Sequence, residues 1–451
     1  MATALSPSPD RSSPDRASSL LKVLGVAFGL AMIVGNTIGV GILRTPGDVA
    51  GMLPSSGWFI GVWVAGGIYA LLGAMTMAEL AVMIPKSGGQ YVFVRRALGE
   101  YPAFVIGWTD WISSCGAIAA TVIALGELAA QMAPSMAGHE SAVAIVMTVA
   151  FTAVNWIGVK SGDRTQQALS LMKVVALFAV AMACFTAPAA VPAADQFAPK
   201  IPSGLAFVTA LVFVFQNVLY TYDGWNGVTY FSGEMKDPGR QIPRAMAYGV
   251  IAVLLVYLVL NSAFLHVLGM SELATDKFPA ATAAHLVFGS AGEGIVRAVM
   301  VVTLLGSANA ILMLTSRTPY AMSEDGLLPR AVSRVNQGGT PHYSLAASAL
   351  VVIAFVLSGT FQTVIAISAF FFVMQYAATF FSLFVLRRRE PDAPRAYRAW
   401  GYPWIPGLVL FGALAFIAGN FIGDRENSIR AVAVLVASYP LYLVAKRLLR
   451  S

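Results

Sequence analysis

Long apolar stretches alternate with short polar connectors along this chain, and the alternation sets the predicted fold. Twelve apolar runs fall at about 20–43, 56–84, 101–132, 141–158, 165–186, 204–231, 243–268, 292–320, 343–358, 361–386, 404–421 and 429–445. Most hold the roughly twenty residues a helix needs to cross a bilayer. Lipid offers no water to unpaired backbone groups, so each run is predicted to be helical. The expected class is an all-α membrane protein with twelve transmembrane helices.

Two of the runs are interrupted. In the first, Ile33-Val34-Gly35-Asn36-Thr37-Ile38-Gly39-Val40-Gly41-Ile42 sets three glycines, an Asn and a Thr at mid-span. Each glycine costs on the order of 1 kcal/mol in a helix interior relative to Ala, so the segment invites unwinding. Small residues also serve close helix packing, the blander use of such glycines. In the sixth run, Gln216-Asn217-Val218-Leu219-Tyr220-Thr221-Tyr222-Asp223-Gly224-Trp225-Asn226-Gly227 places Asp, Asn and two glycines at similar depth. Unwound backbone survives in a membrane only where it is buried in protein or lines a polar cavity. A break bares carbonyls on one side and N–H groups on the other, which attract cations and anions respectively. A molecule with one ammonium and one carboxylate suits that pair of ends. Interruptions at corresponding places in two halves mark a transporter site. Here they predict a five-plus-five inverted repeat, spans one to five and six to ten, with broken helices one and six and with eleven and twelve appended.

Composition agrees with this class and excludes others. Of 451 residues, 57% are hydrophobic and 11% charged, against roughly 25% charged in a soluble domain. The net charge of +7 reflects membrane topology rather than nucleic-acid binding. By these spans about 22 basic residues lie in one set of loops and the tails, and about five lie opposite, a positive-inside asymmetry. Both termini are expected in the cytoplasm, with the chain multi-pass in the cell (inner or plasma) membrane. The expected organisation is a disordered cytoplasmic tail at 1–19, a ten-helix transport core at 20–386, a cytoplasmic linker at 387–403, and the last two helices with the C-terminal tail at 404–451.

Several connectors and charges call for a role. The mixed-charge connector 232–244 is expected to be a gating linker, and 316–330 a second cytoplasmic connector. The half-apolar 277–289 is expected to form a re-entrant or capping helix on the outer side. Lys173 sits in span five; a mid-membrane Lys costs about 2.5–3.5 kcal/mol and should face the bundle interior. The alternative is a Lys that snorkels to the surface. Asp110 in span three reads as a structural hydrogen-bond acceptor, with a proton path as the alternative. Glu127 and Arg297 fall at similar depth, as a bridge or thin outer gate. Asp223 reads as a cap for the half-helix after the second break.

Enzyme motifs are absent: there is no HExxH, P-loop, GxGxxG or GxSxG. His139, His266, His285 and His342 have no metal-ligand spacing and are assigned to loops or helix ends. No catalytic residue, metal or cofactor is expected. Cys115 and Cys184 lie in apolar runs and read as small hydrophobes.

At the two breaks the chain becomes recognisable. Gly35-Asn36-Thr37-Ile38-Gly39-Val40-Gly41-Ile42, Tyr222-Asp223-Gly224-Trp225-Asn226 and Gly233-Glu234-Met235-Lys236-Asp237-Pro238 together resemble the amino acid–polyamine–organocation superfamily. The resemblance is greatest to the L-type amino acid transporter branch and its prokaryotic relatives, and Gly306-Ser307-Ala308-Asn309 in span eight agrees. It implies alternating access on the five-plus-five fold. It implies that Gly39, Val40 and Gly41 give N–H groups to a substrate carboxylate. Carbonyls near Ile33 and Val34 would take the α-ammonium, with help from span six near Tyr220, which closes over the substrate where the family commonly has Phe. Asp223 stands where relatives often carry Gly or Ser. Lys173 would hydrogen-bond carbonyls near Val34 and Gly35 and a span-eight hydroxyl, Ser307, in the place of a bound sodium; that is compatible with proton coupling.

The expected substrate-binding residues are therefore Ile33, Val34, Gly35, Thr37, Gly39, Val40, Gly41, Tyr220, Tyr222, Asp223, Trp225 and Asn226. Lys173, Ser307, Asp110 and Glu234 are expected to couple or gate. The expected function is secondary transport of L-amino acids, with neutral ones the leading class, by exchange or proton symport. A polyamine or cationic amino acid permease and a non-transporting amino acid receptor are the alternatives. Expected partners are the amino acid and the lipid bilayer, with no nucleic acid. Some animal relatives join a heavy chain through a Cys between spans three and four. The connector 133–140 has no Cys, so that disulfide is not expected.

Overall fold

The structure is a computed structural model and describes residues 20–190, 201, 203–359, 361–423 and 425–450. The expected tail at 1–19 and the connector residue Lys200 lie outside the described residues. In chain order the helices are α1 (Val26–Thr37), α2 (Thr45–Met52), α3 (Ser56–Met83), α4 (Gln90–Leu98), α5 (Glu100–Met132), α6 (Glu140–Ile157), α7 (Val159–Thr186), α8 (Gly204–Tyr222), α9 (Pro238–Leu273), α10 (Pro279–Phe288), α11 (Gly292–Thr315), α12 (Arg317–Glu324), α13 (His342–Ser358), α14 (Phe361–Arg389), α15 (Trp404–Gly423) and α16 (Arg425–Arg450). Among the described residues the extended pairing amounts to one isolated parallel bridge, Leu24 with Met235. Among the described residues ten helical stretches are long and apolar enough to cross a membrane, whereas α1 and α13 are shorter.

The first run breaks later and extends further than its apolar pattern implies. α1 ends at Thr37, Ile38 is extended, and a 3-10 turn follows over Val40–Leu43. The element then continues through α2 to Met52. Arg44, Pro46 and Asp48 look like a loop in sequence. Pro46 sits in the first turn of α2, where no N–H partner is needed, and Asp48 favours the same helix end.

The second break has a steric cause. α8 ends at Tyr222, Asp223 is extended, and Gly224 takes φ +111. Side chains rarely adopt that backbone, and a Cβ on Gly224 would lie 2.8 Å from the backbone of Asn36. A 3-10 turn, Gly227–Glu234, then leads to α9. Asp237 caps α9 by accepting the Arg240 N–H, with proline in the first turn.

α1 packs on α7, α9 and α11, and α8 packs on α2 and α3, so the two breaks face each other inside the bundle. The short α10 lies against α9 and α11; where a Cβ on Gly47 of α2 would stand, Asp276 O of the preceding connector is only 1.9 Å away and Pro279 Cγ of α10 3.2 Å away. It thus covers the end of the α1–α2 element, as the half-apolar sequence suggests.

The two mixed-charge connectors, the expected gating linker 232–244 and the connector 316–330, are in large part packed inside the protein. In 232–244, Glu234 and Met235 are fully buried, and the Lys236 N–H donates to Leu24 O. In 316–330, Arg317 through Ser323 form the buried helix α12. In both, mixed charge satisfies charge inside the protein. The outer Glu127–Arg297 pair does not form: Arg297 pairs with Glu293 one turn away, and Glu127 is exposed.

Candidate functional site

A cavity of about 350 Å³ lies between the two breaks. Thr37, Gly39, Val40, Gly41, Tyr220, Asp223 and Asn226 line it, as do Asp110 and Ser307. The N–H groups of Gly39, Val40 and Gly41 stand at the start of a helical turn, where no preceding turn supplies acceptors. Thr37 Oγ1 is buried with no hydrogen-bond partner among the described residues. The site therefore offers N–H donors along one wall, with the Thr37 hydroxyl buried behind it.

The breaks are tied directly to each other. Asn36 Nδ2 donates to Gly224 O at 2.9 Å. The Tyr257 hydroxyl lies 3.1 Å from Thr37 O and 2.8 Å from Thr221 O, so one proton is shared between carbonyls in the last turns of α1 and α8. Unwinding both helices would otherwise leave these buried acceptors unpaired, at about 1–3 kcal/mol each.

Lys173 completes the first break. Its Nζ donates to Gly35 O (3.0 Å), Ile38 O (2.5 Å) and Ser307 Oγ (3.1 Å), which uses all three ammonium protons. Ser307 Oγ in turn donates to Gly35 O at 3.1 Å. Lys173 is fully buried and does not snorkel. Ile38 O takes the place assigned to Val34 O, which instead accepts the Ile38 N–H and closes the last α-helical turn. A second buried chain stands beside it: Gln166 Nε2 and Ser170 Oγ both donate to Ala31 O, at 3.2 and 2.8 Å.

Not every expected site residue reaches the cavity. Ile33, Val34 and Gly35 are buried within α1 and do not line it, because the helix persists four residues beyond Ile33. Acceptors for an ammonium must then come from later positions. Tyr222 points away and donates to Trp63 O at 3.0 Å. Trp225 stacks on Tyr376 at 5.0 Å and lines an apolar pocket of about 70 Å³ that adjoins the cavity through Tyr220, Asp223 and Tyr376. Asp223 does not cap the following helical turn; its Oδ1 accepts from the Tyr376 hydroxyl at 2.5 Å.

One end of the cavity is sealed. Asp110 accepts from Tyr230 and Thr318, both at 2.7 Å. Deeper, Arg317 forms a two-pronged pair with Glu234, both contacts 3.0 Å, and its guanidinium lies 4.4 Å from the Phe231 ring centre. Ser87 adds a contact to Glu234 at 3.4 Å. Both charges are buried, so Glu234 sits in this seal and not in the cavity wall.

The chain matches the amino acid permease family model over residues 21–444. It belongs to that family. Within it, the permease is related to the L-type amino acid transporter branch of the amino acid–polyamine–organocation superfamily. It is similar to the serine/threonine exchanger SteT of Bacillus subtilis, 28% identical over 443 residues, 95% of this chain and 98% of that protein. It is also similar to the b(0,+)-type amino acid transporter 1 of Mus musculus, 28% identical over 418 residues, covering 91% and 84%. The branched-chain amino acid permease BcaP of Bacillus subtilis is 27% identical over 440 residues, 88% of each chain.

Sequence reasoning missed Asn36, Tyr257, Gln375 and Tyr376 as site residues. Gln375-Tyr376 puts polar groups into the apolar run of α14, and Tyr257 puts a hydroxyl into the aliphatic run of α9; an unpaired polar group in an apolar span is a signal available from sequence.

Gly39 gives a direct probe. Its φ of −106 suits any residue, and a Cβ there meets nothing within 4 Å. Gly39→Leu is expected to fold normally yet cut uptake by at least about tenfold, equivalent to about 1.4 kcal/mol. Uptake and thermal melting measured together check this; unchanged uptake would remove this wall from the substrate path.

Proposed function

We propose that the permease is a secondary active transporter that moves L-amino acids, chiefly neutral ones, across the plasma membrane by alternating access, through exchange or proton symport. The observation that carries this reading is the cavity walled by the free N–H groups of Gly39, Val40 and Gly41 and by the second break at Asp223–Asn226. The carboxylate takes those N–H groups. The ammonium meets carbonyls at the end of α1 and near Tyr220 on α8, in place of Ile33 and Val34. The relatives' transported amino acids, serine and threonine for one and branched-chain for another, favour a zwitterionic substrate.

The fold supports the reading in its order. The broken α1–α2 element and α13 bring the ten long helices to twelve spans. Each broken element opens a half, and a short helix precedes the third span of each: α4 before α5, α10 before α11. That is the pattern of a five-plus-five repeat over the core at 20–386, with 387–403 as linker and 404–451 as the appended pair. With both termini cytoplasmic, the sealed end at Asp110 and Glu234 faces the cytoplasm and the cavity is reached from outside.

The test is uptake into proteoliposomes of a panel of labelled amino acids, with and without internal amino acid and with and without an imposed pH gradient. The reading expects flux of a neutral amino acid driven by one of the two. Saturable binding without flux in either arm would make the protein a receptor, and preferential competition by putrescine would make it a polyamine carrier. Tyr220 lines the cavity on α8. Tyr220→Ala is expected to weaken competition by the preferred substrate several-fold, about 1 kcal/mol, and to reorder the panel. An unaltered profile would take Tyr220 out of the gate.

A further inference from the structure

A basic groove of about 630 Å³ lies where α14 ends and the connector to α15 folds back, remote from the cavity. Arg387, Arg388, Arg395 and Arg398 line it. Beneath it the fully buried Glu79 accepts from Arg387 Nη2 (2.6 Å) and from the Ala399 N–H (2.7 Å), with Arg395 Nε 3.0 Å away. Arg395 also donates to the carbonyls of Leu386 and Glu390, which curls the connector around it. The Arg387 guanidinium stands 4.5 Å from the Tyr402 ring centre.

The charges do not balance. One carboxylate, Glu79, serves two guanidiniums. Among the described residues Arg388 and Arg398 form no hydrogen bond or ion pair, and both are exposed. Of the connector's own acids, Glu390 pairs with Arg96 at 2.5 Å, and Asp392 does not line the groove. An excess of about three positive charges therefore surrounds a concave surface, held in shape by a buried acid.

Position identifies the kind of anion. The groove sits at the polar ends of two apolar helices, α14 and α15. Exposed Trp400, Tyr402 and Trp404 flank it, with Trp404 83% exposed. Exposed aromatic residues at the ends of spans belong to the headgroup level of a bilayer. The planar guanidinium fork can donate two N–H bonds to two oxygens of a tetrahedral phosphate of opposite charge, and basic pockets between spans are suited to anionic headgroups. We propose that this groove binds the phosphodiester headgroup of an anionic phospholipid, with Arg388 and Arg398 as the free contacts and Glu79 as the residue that fixes the floor.

The test is native mass spectrometry of the full-length protein in detergent, titrated with phosphatidylglycerol, phosphatidylcholine or inorganic phosphate. Wild type is expected to retain phosphatidylglycerol over phosphatidylcholine. The R388Q/R398Q variant should lose that affinity about tenfold or more, whereas R388K/R398K should keep most of it. Neither change removes a protein contact, so melting without lipid should not move. Equal retention by wild type and R388Q/R398Q, or equal retention of the two lipids, would overturn the proposal. Displacement of phosphatidylglycerol by millimolar inorganic phosphate would assign the groove to a free anion and overturn it too. The reading of the cavity as an amino acid site is untouched by either outcome.

Discussion

Lys173→Ala is expected to reduce amino acid uptake to near background while leaving protein in the membrane. The ammonium is the donor shared by Gly35 O, Ile38 O and Ser307 Oγ. Without it Ser307 can serve one carbonyl, and the other is left buried and unpaired at about 1–3 kcal/mol. That cost falls on the residues next to Gly39, Val40 and Gly41, whose N–H groups form the proposed carboxylate site. A shift there of about 1.4 kcal/mol in the bound state is already tenfold in affinity. Initial uptake rates and thermal melting of purified protein, measured together, check it. Normal uptake with an unchanged pH profile would remove Lys173 from the mechanism.

The largest effect on stability is expected from Arg317→Ala. The change leaves Glu234 fully buried without its two-pronged partner. Removing one member of a buried pair costs about 3–5 kcal/mol, because the remaining charge is uncompensated. The cost should be specific to the pair. In E234A/R317A neither charge of this pair remains, and much of the loss should be recovered. Both are read as thermal melting in detergent and as yield of folded protein. A single variant that melts with wild type would contradict the burial described here.

That pair also shows where the sequence stops being informative. The length and apolarity of the runs place the helices, and the clustered glycines and polar residues mark both breaks, because those are local costs written into adjacent residues. The contact of Lys173 with the first break was expected through the family resemblance. Composition alone does not tell Glu234 and Arg317 from a solvated connector, since burial depends on what packs over them. The same limit explains Tyr222 and Trp225. They neighbour Asp223 in sequence, but only Asp223 lines the cavity; Tyr222 and Trp225 line the adjoining apolar pocket, which Asp223 also borders. Arg44, Pro46 and Asp48 failed in the opposite sense: polar residues there begin a helix instead of ending one.

The central claim is that both charged ends of a free amino acid are held between the two breaks. The most direct measurement is competition against uptake of the best labelled amino acid in proteoliposomes. The competitors are the same amino acid unlabelled, its methyl ester and its N-acetyl derivative. The account predicts that the free amino acid competes fully and that both derivatives are at least about tenfold weaker, each having lost one charged contact. Equal competition by either derivative would mean that one of the two breaks does not grip the substrate.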